Sequence, residues 1–475
     1  MPGGAARSAR NSATRLGRTP GSGGRGNRTV GAAVLGQSGV VADLPESGFR
    51  RGLRVAGLPA GHAVRAAAGL GRRIGGRPAE IVAAEVQSRT AAQLFQVLGE
   101  LKGGALKLGQ AMSAMEALMP VELAGPYLDA LTRLQEAAPP LPAATVHQVL
   151  AGSVGADWRD RFRQFDDQPI AAASIGQVHR ATWHDGTDVA VKVQYPGVAE
   201  ALTADLRQLD RALPFMRLGA PALDARSLLE NLHGRLAEEL DYHREADAQQ
   251  AFATAYAHDP DIFVPPVIHE SDRVLVTAWV DGVPLAQVIS SGAQPDRDCA
   301  GGHLVRLFLA SPSRVGRIHG DPHPGNFRLL GDGRLAVIDF GSTEPLAGGW
   351  PAGLGRLVRA GRHRNATSLL DEAIAAGLLR PGDIAATDLL QALDPWFEPV
   401  RTEQFHCDRD WLQKEVRVWS NPRSTASRLQ RKARVPPRHL LVQRVAFGLL
   451  GVLTSLDATV AIRAEAERWI PDLAP

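Results

Sequence analysis

An α+β chain with a smaller strand-rich part followed by a larger, mainly helical part is the fold class that the sequence predicts, and three observations predict it. Residues 170–195 alternate in polarity and 274–280 run apolar, as strands do. Leu228, Leu232, Leu236 and Leu240 recur every four residues between them, as on one face of a helix. From about residue 304 to the end the apolar spacing is mainly helical, interrupted by a single hairpin at 327–330 and 335–338.

The elements follow in order. Before Asp43 the chain holds no acidic residue, while Arg7, Arg10, Arg15, Arg18, Arg25 and Arg28 stand among Gly, Ser, Thr and Asn. Such a composition cannot bury enough apolar surface to fold, so residues 1–47 are expected to form a disordered tail. The same character fits an organelle transit peptide, and the sequence leaves both readings open. No compact apolar stretch with a small-residue cleavage site opens the chain, so no secretory signal is expected. Residues 50–75 mix Arg50, Arg51, Arg54, Arg65, Arg72 and Arg73 with apolar residues, suited to an anionic lipid surface or to an ordinary solvated helix pair.

Helical spacing begins with Ile81, Val82, Val86, Leu94, Phe95, Leu98 and Leu101. A second helix carries the apolar stripe Leu108, Met112, Met115 and Met119, and its Lys107 and Gln110 share a neighbouring face. After the break at Pro139, Pro140 and Pro142 comes a short helix. Strands are then expected at 174–182 and 188–193, joined by a turn at His184, Asp185 and Gly186.

Composition narrows the function classes. The chain has 475 residues, 44% of them hydrophobic and 22% charged, which is ordinary globular usage and enough for a bilobal enzyme with an extension at each end. The formal net charge of +3 is too small to imply nucleic acid as a partner. With only Cys299 and Cys407, a disulfide framework is excluded and a reducing, cytoplasmic setting is expected. The longest apolar run near the end, 445–453, falls short of the ~20 residues of a membrane-spanning helix, so no transmembrane helix is expected and any membrane contact is peripheral.

The chemistry lies in an ordered set of motifs. Val-Ala-Val-Lys-Val at 189–193 puts Lys192 on a strand, as in the kinase strand whose ammonium contacts nucleotide phosphates. A lone match of this kind would ordinarily be an edge-strand lysine facing solvent. The helix that follows offers Glu238, Glu239 and Glu245 as ion-pair partners, and periodicity does not choose among them. His-Gly-Asp-Pro-His-Pro-Gly-Asn at 319–326 carries Asp321 and Asn326 at the interval of the kinase catalytic loop. Asp321 can take a hydroxyl proton or orient a water. Asn326 can give magnesium a neutral oxygen. Asp339, in Asp-Phe-Gly at 339–341, ends an apolar strand and can return a carboxylate to the same cation. A zinc site on His319 and His323 is disfavoured, because no cysteine or third histidine stands near. Where a glycine-rich phosphate loop belongs stands Ala171, Ala172, Ala173, Ser174, with alanines where glycines would let backbone amides approach phosphate freely. The order predicts a bilobal kinase-like fold that uses ATP and Mg2+.

These residues resemble the UbiB (AarF/ADCK) family of atypical kinases, nearest its mitochondrial-type branch, over roughly residues 48–460. The resemblance is carried by Ala-Ala-Ala-Ser-Ile-Gly-Gln-Val-His at 171–179, Val-Gln-Tyr-Pro-Gly-Val at 193–198, Glu-Leu-Asp-Tyr-His-Arg-Glu-Ala at 239–246 and Leu-Lys-Leu-Gly-Gln at 106–110. It implies residues 48–145 as an N-terminal helical extension folded over the active site, 146–282 as the N-lobe and 283–475 as the C-lobe. It also implies that Lys192 pairs with Glu239 while Glu245 supports the helix, and that Lys107 and Gln110 reach the nucleotide pocket. The stripe beside them must in any case bury itself, and the lobes are the available surface. The family usually has glutamate at the hinge position held here by Ala278, so adenine recognition is expected from backbone groups between Thr277 and Val280. Glu136 stands where many relatives have aspartate, and Arg-Val-Pro-Pro-Arg at 434–438 resembles members without a transmembrane tail. The implied function is Mg-ATP phosphotransfer or hydrolysis supporting quinone or isoprenoid-lipid metabolism, with a lipid or quinone precursor as partner. Two other classes compete: a small-molecule kinase of the aminoglycoside or choline type, which shares His-Gly-Asp followed by Asn, and a nucleotide-sensing scaffold.

Overall fold

The structure, a computed structural model, describes residues 141–173, 175–200, 203, 240–346, 348–421 and 423–474. The tail at 1–47, nearly all of the extension at 48–145, and with it Lys107 and Gln110, lie outside the described residues, as do Ser174 and Glu239.

The smaller lobe is built on a five-stranded antiparallel sheet of order β1-β2-β3-β6-β5. Its strands are β1 (Phe162–Ala172), β2 (Gly176–Trp183), β3 (Asp188–Gln194), β5 (Val267–Ser271) and β6 (Val274–Ala278), while β4 (Ile262–Phe263) joins the other lobe. The expected turn between β2 and β3 closes as a tight reversal in which Gly186, at φ +101, donates its N–H to the Trp183 carbonyl. β1 begins eight residues before the alternating pattern that marks this region in the sequence. It is an edge strand with mostly exposed side chains, so burial gives it no periodic signature.

Alternation along β3 decides where the lysine goes. Val189, Val191 and Val193 are fully buried and pack with Val274 and Val276 against helix α1 (Ala143–Ser153) through Val146, Val149 and Leu150. Lys192 therefore turns to the opposite face, where helix α2 (Tyr242–Ala255) packs. There Ile175, Tyr242, Ala246 and Leu275 form a smaller core.

The larger lobe is mainly helical, as expected, and has one extensive core. After β7 (Val283–Pro284) and α3 (Leu285–Ser291), the long α4 (Gln294–Arg314) runs through that core, burying Ala300, Leu304, Leu307 and Phe308. β8 (Arg317–His319), β9 (Phe327–Leu329), β10 (Leu335–Val337) and β11 (Thr343–Pro345) then frame the motif loops. The hairpin expected at 327–338 is β9–β10, in a sheet of order β4-β10-β9-β7, and β8 pairs with β11. Helices α5 (Leu354–Arg362), α6 (Ala366–Ala375), α7 (Ala386–Leu393), α8 (Arg409–Ser420) and α9 (Thr425–Lys432) follow, and α5, α6, α7 and α9 share a smaller core through Ala360, Leu369, Leu389 and Leu429. The last helices are α10 (Pro437–Leu456) and α11 (Ile462–Trp469).

α10 is 20 residues long, longer than the apolar run at 445–453, and by length and composition alone it is apolar enough to cross a membrane. Its Val445, Leu449, Val452, Leu453 and Leu456 are nevertheless buried in the core of the larger lobe.

Candidate functional site

Lys192 lies between two carboxylates. Its Nζ donates to Glu245 Oε1 at 2.8 Å and Oε2 at 3.0 Å, and to Asp339 Oδ2 at 3.1 Å. The side chains of Lys192, Glu245 and Asp339 are 17%, 2% and 34% exposed. Burial alone would lower the lysine's pKa. The charges of Asp339 and Glu245 more than reverse this and hold it well above the ordinary lysine value, so the ammonium stays charged. The Tyr242 ring lies 5.3 Å from the same ammonium and adds a cation–π contact.

The resemblance implies Glu239 as the partner of Lys192, with Glu245 in support; the described contact is with Glu245, and Glu239 lies outside the described residues. The start of α2 brings Glu245 there. Its N-cap is Asp241, whose side chain accepts from the Arg244 N–H. From that start Tyr242, Glu245, Ala246, Gln249 and Phe252 fall on the buried face.

The Asp-Phe-Gly segment is fixed from both lobes. Phe340 is buried against Phe252 of α2, ring centroids 5.1 Å apart, and against His319 at 5.7 Å. The Gly341 N–H donates to Asp339 Oδ1 at 3.2 Å, and a Cβ on Gly341 would lie 3.6 Å from both Asp339 Oδ1 and Glu245 Oε2. Arg244 of α2 donates to the Thr343 carbonyl at 3.2 Å, just beyond the motif.

The 319–326 loop joins the same assembly through His319, which is fully buried. Its Nε2 meets the Asp339 carbonyl at 2.8 Å, and its Nδ1 accepts from the Asp321 N–H at 3.3 Å. Both ring nitrogens are thus engaged, and the zinc reading loses its first ligand. Asp321 Oδ1 accepts from the His323 N–H, while Asn326 Nδ2 donates to Asp321 Oδ2 and to the Asp321 carbonyl, each at 3.1 Å. With its amide nitrogen turned to Asp321, Asn326 keeps its carbonyl oxygen as the group with ligand character.

The described residues contain no group of three or more His, Cys, Asp or Glu arranged to hold a metal ion. A cation bound by Asp339 and Asn326 would therefore take its remaining ligands from phosphate or water. An oxygen-only donor pair of this kind suits Mg2+, which keeps several waters and is commonly held by few carboxylates plus phosphates.

The alanine loop is the tight connection between β1 and β2. Ala171 and Ala172 end β1, paired with Val178 and Gln177, and the Ala173 N–H donates to the Gly176 carbonyl at 2.8 Å. Gly176 is where the chain needs glycine, since a Cβ there would lie 2.2 Å from the Val193 carbonyl oxygen. At the hinge, the N–H groups of Ala278 and Trp279 are committed to the Pro266 and Asp188 carbonyls at 3.0 and 2.8 Å. Backbone recognition between Thr277 and Val280 thus narrows to carbonyls and the Val280 end. Tyr242, Arg244 and Phe340 have no role in the sequence analysis, and His319 enters it only as a disfavoured zinc ligand; Tyr242 and Arg244 lie inside the 239–246 motif that carries the resemblance.

Residues 133–368, which include this whole assembly, match the ABC1 atypical kinase-like domain family. The mitochondrial atypical kinase coq-8 of Caenorhabditis elegans is 36% identical over 260 residues, covering 53% of this chain and 34% of the relative. The uncharacterized Synechocystis protein slr0889 is 32% identical over 278 residues, 55% of this chain and 67% of its own. Rv3197 of Mycobacterium tuberculosis, solved in complex with erythromycin, is 43% identical with a TM-score of 0.65, and the match covers 84% of this chain and 100% of that one. The chain belongs to the ABC1 (UbiB/ADCK) family of atypical kinases. It spans 34%, 55% and 56% of the lengths of coq-8, the probable serine/threonine-protein kinase abkA of Dictyostelium discoideum and the Synechocystis protein sll0005.

Proposed function

We propose that this chain binds ATP with Mg2+ and transfers or hydrolyses the terminal phosphoryl group, acting on or with a lipid or quinone precursor at a membrane surface. The observation that carries the reading is the buried Lys192–Glu245–Asp339 assembly, joined through His319 to Asp321 and Asn326. Glu245 orients Lys192, and Lys192 presents a fixed positive charge to phosphate oxygens. Asp339 and Asn326 are the residues that would hold Mg2+, which neutralises charge developing on the phosphoryl oxygens. Asp321 accepts the proton of an acceptor hydroxyl or orients a water. Lys107 and Gln110 of the extension complete the nucleotide pocket in this reading, with Ala171, Ala172, Ala173 and Ser174 over the phosphates and the Ala278–Val280 edge against the base.

The acceptor class rests on the family resemblance. Contact with an anionic membrane surface is supported by exposed Arg431, Lys432, Arg434 and Arg438 beside Leu440, which is 53% exposed at the start of α10. The complex of Rv3197 with erythromycin favours a second reading, in which a bulky amine-bearing small molecule is the ligand. The test is ATP turnover by the full chain with and without anionic liposomes, a phenolic lipid precursor or erythromycin, comparing wild type with Asp339→Asn. Stimulation by lipid and loss in the variant are expected. Equal magnesium-nucleotide stabilisation of both proteins in a thermal shift assay would sink the metal assignment.

A further inference from the structure

Both neighbours of Asp321 rest on one helix. Arg444 and Gly448 stand four residues apart on α10, one turn along the same face. A Cβ on Gly448 would lie 2.6 Å from Pro322 Cγ and 3.3 Å from Pro322 Cδ, so the backbone of α10 runs directly beneath the proline ring. One turn earlier, the Arg444 guanidinium covers Gly320. A Cβ on Gly320 would lie 3.1 Å from Arg444 Nη2 and 2.5 Å from the Ser342 carbonyl oxygen. The same guanidinium nitrogen is 4.0 Å from Glu344 Oε1 on β11, which pairs with β8 ahead of the loop.

α10 cannot yield easily, because Val445, Leu449, Val452 and Leu453 anchor it in the large core. A packed interior transmits a displacement of this kind instead of absorbing it. Any side chain at position 448 would thus be accommodated by lifting Pro322, and Asp321 would move with it. Lys192 and Glu245 stand on other elements, whereas Asn326 shares the displaced loop and is bonded to Asp321, so it moves with it.

We propose that Gly448 and Arg444 are positioning residues of the 319–326 loop, setting the placement of Asp321 through Pro322 and Gly320. The inference rests on the reading of Asp321 as the group that acts on the phosphoryl acceptor or the attacking water.

The test uses the full chain as wild type, Gly448→Ala, Pro322→Ala and the double variant. Turnover (kcat and KM for ATP), the thermal shift produced by magnesium nucleotide, and amide hydrogen exchange at 319–326 are measured for each. Gly448→Ala is expected to lower kcat about 10–100-fold, the scale of an ångström-sized misplacement of a reacting group. Exchange at 319–326 should quicken, and because Asn326 rides in the same loop the magnesium-nucleotide shift should shrink as well. Removing the proline ring makes room for the new methyl, so the double variant should return to the kcat and exchange of Pro322→Ala alone. A kcat unchanged by Gly448→Ala, or an equal fold-loss in the Pro322→Ala background, overturns the proposal. If wild type turns over no ATP, the proposed function fails by itself and exchange alone decides: faster exchange restored in the double variant supports positioning, and unchanged exchange refutes it. Should Gly448→Ala not fold, Arg444→Ala carries the test, with lowered kcat and faster exchange expected; wild-type kcat and exchange would overturn the proposal.

Discussion

Replacing Glu245 by glutamine removes one negative charge from the most buried part of the site and changes little else. Glutamine keeps the volume and one accepting oxygen, so no cavity forms. Deleting one member of a buried ion pair typically costs about 3–5 kcal/mol. That full figure does not apply, because Lys192 retains Asp339 at 3.1 Å and can still donate to the glutamine oxygen. What is lost is one charge-assisted bond of the two that Glu245 accepts at 2.8 and 3.0 Å, worth about 1.5–3 kcal/mol. A cost of about 2 kcal/mol lowers Tm by roughly 2 °C in a chain of this size. The same amount withdrawn from the oriented lysine corresponds to about a 30-fold fall in kcat/KM for ATP. The lysine's raised pKa makes the folded-state contribution pH-independent in the working range: stability from this group is complete below the unfolded lysine pKa and is lost only as pH rises through the higher folded value. The assay is thermal unfolding without nucleotide and steady-state ATP turnover, with Glu239→Gln in parallel. The reasoning is refuted if Glu245→Gln behaves as wild type while Glu239→Gln loses stability and turnover.

Two further predictions follow from the packing. Gly176→Ala places a methyl 2.2 Å from the Val193 carbonyl oxygen, backbone that cannot rotate away, so β2 and β3 must separate; a loss of more than about 3 kcal/mol in denaturant unfolding is expected. Glu415 is buried on α8, and burial pushes its carboxyl pKa up, with Lys414 3.8 Å away giving weak relief from an exposed position. A glutamate whose folded pKa exceeds its unfolded one penalises folding above the unfolded carboxylate range, fully so once pH passes the folded value, and the penalty disappears on acidification. Glu415→Gln should therefore raise Tm by about 1–3 °C at pH 7.5 and give no gain near pH 4. A gain that grows on acidification would contradict the assignment.

Sequence reading reached the parts of the site that are local. Lys192 is placed by strict alternation in Val-Ala-Val-Lys-Val, and Asp321, Asn326 and Asp339 by spacings that a short loop and a hairpin hold rigidly. The glutamate depended on helical phase. Three candidates lie within eight residues, and the choice turns on a helix start that Asp241 sets by capping. Counting the buried face from Tyr242 would have selected Glu245. The edge strand β1 was partly illegible because exposed strands need no apolar alternation. α10 extends beyond the run at 445–453 because Arg438 and Arg444 interrupt the apolar run without ending the helix, whose Val445, Leu449, Val452, Leu453 and Leu456 fill the core. The contact of Gly448 with Pro322 joins residues far apart in the chain, and neither residue type carries a mark of it.

Asp339 and Glu245 divide the work of holding one lysine, and their exposures suggest how. Asp339, 34% exposed, gives Oδ2 to Lys192 and Oδ1 to the Gly341 N–H, yet it is also the carboxylate proposed to bind Mg2+. An ammonium and a divalent cation repel each other, so one carboxylate cannot serve both at full strength. Glu245, 2% exposed and bonded through both oxygens, would keep Lys192 in place with Asp339 engaged by the proposed metal. In that reading the fixed partner belongs to the fold and the exchangeable one to the reaction. Substituting Glu245 should therefore lower Tm before any nucleotide is added, whereas Asp339→Asn should leave that Tm nearly unchanged and abolish the further rise that magnesium nucleotide produces. If both variants lower the nucleotide-free Tm equally, the two carboxylates share the structural load and this division is wrong.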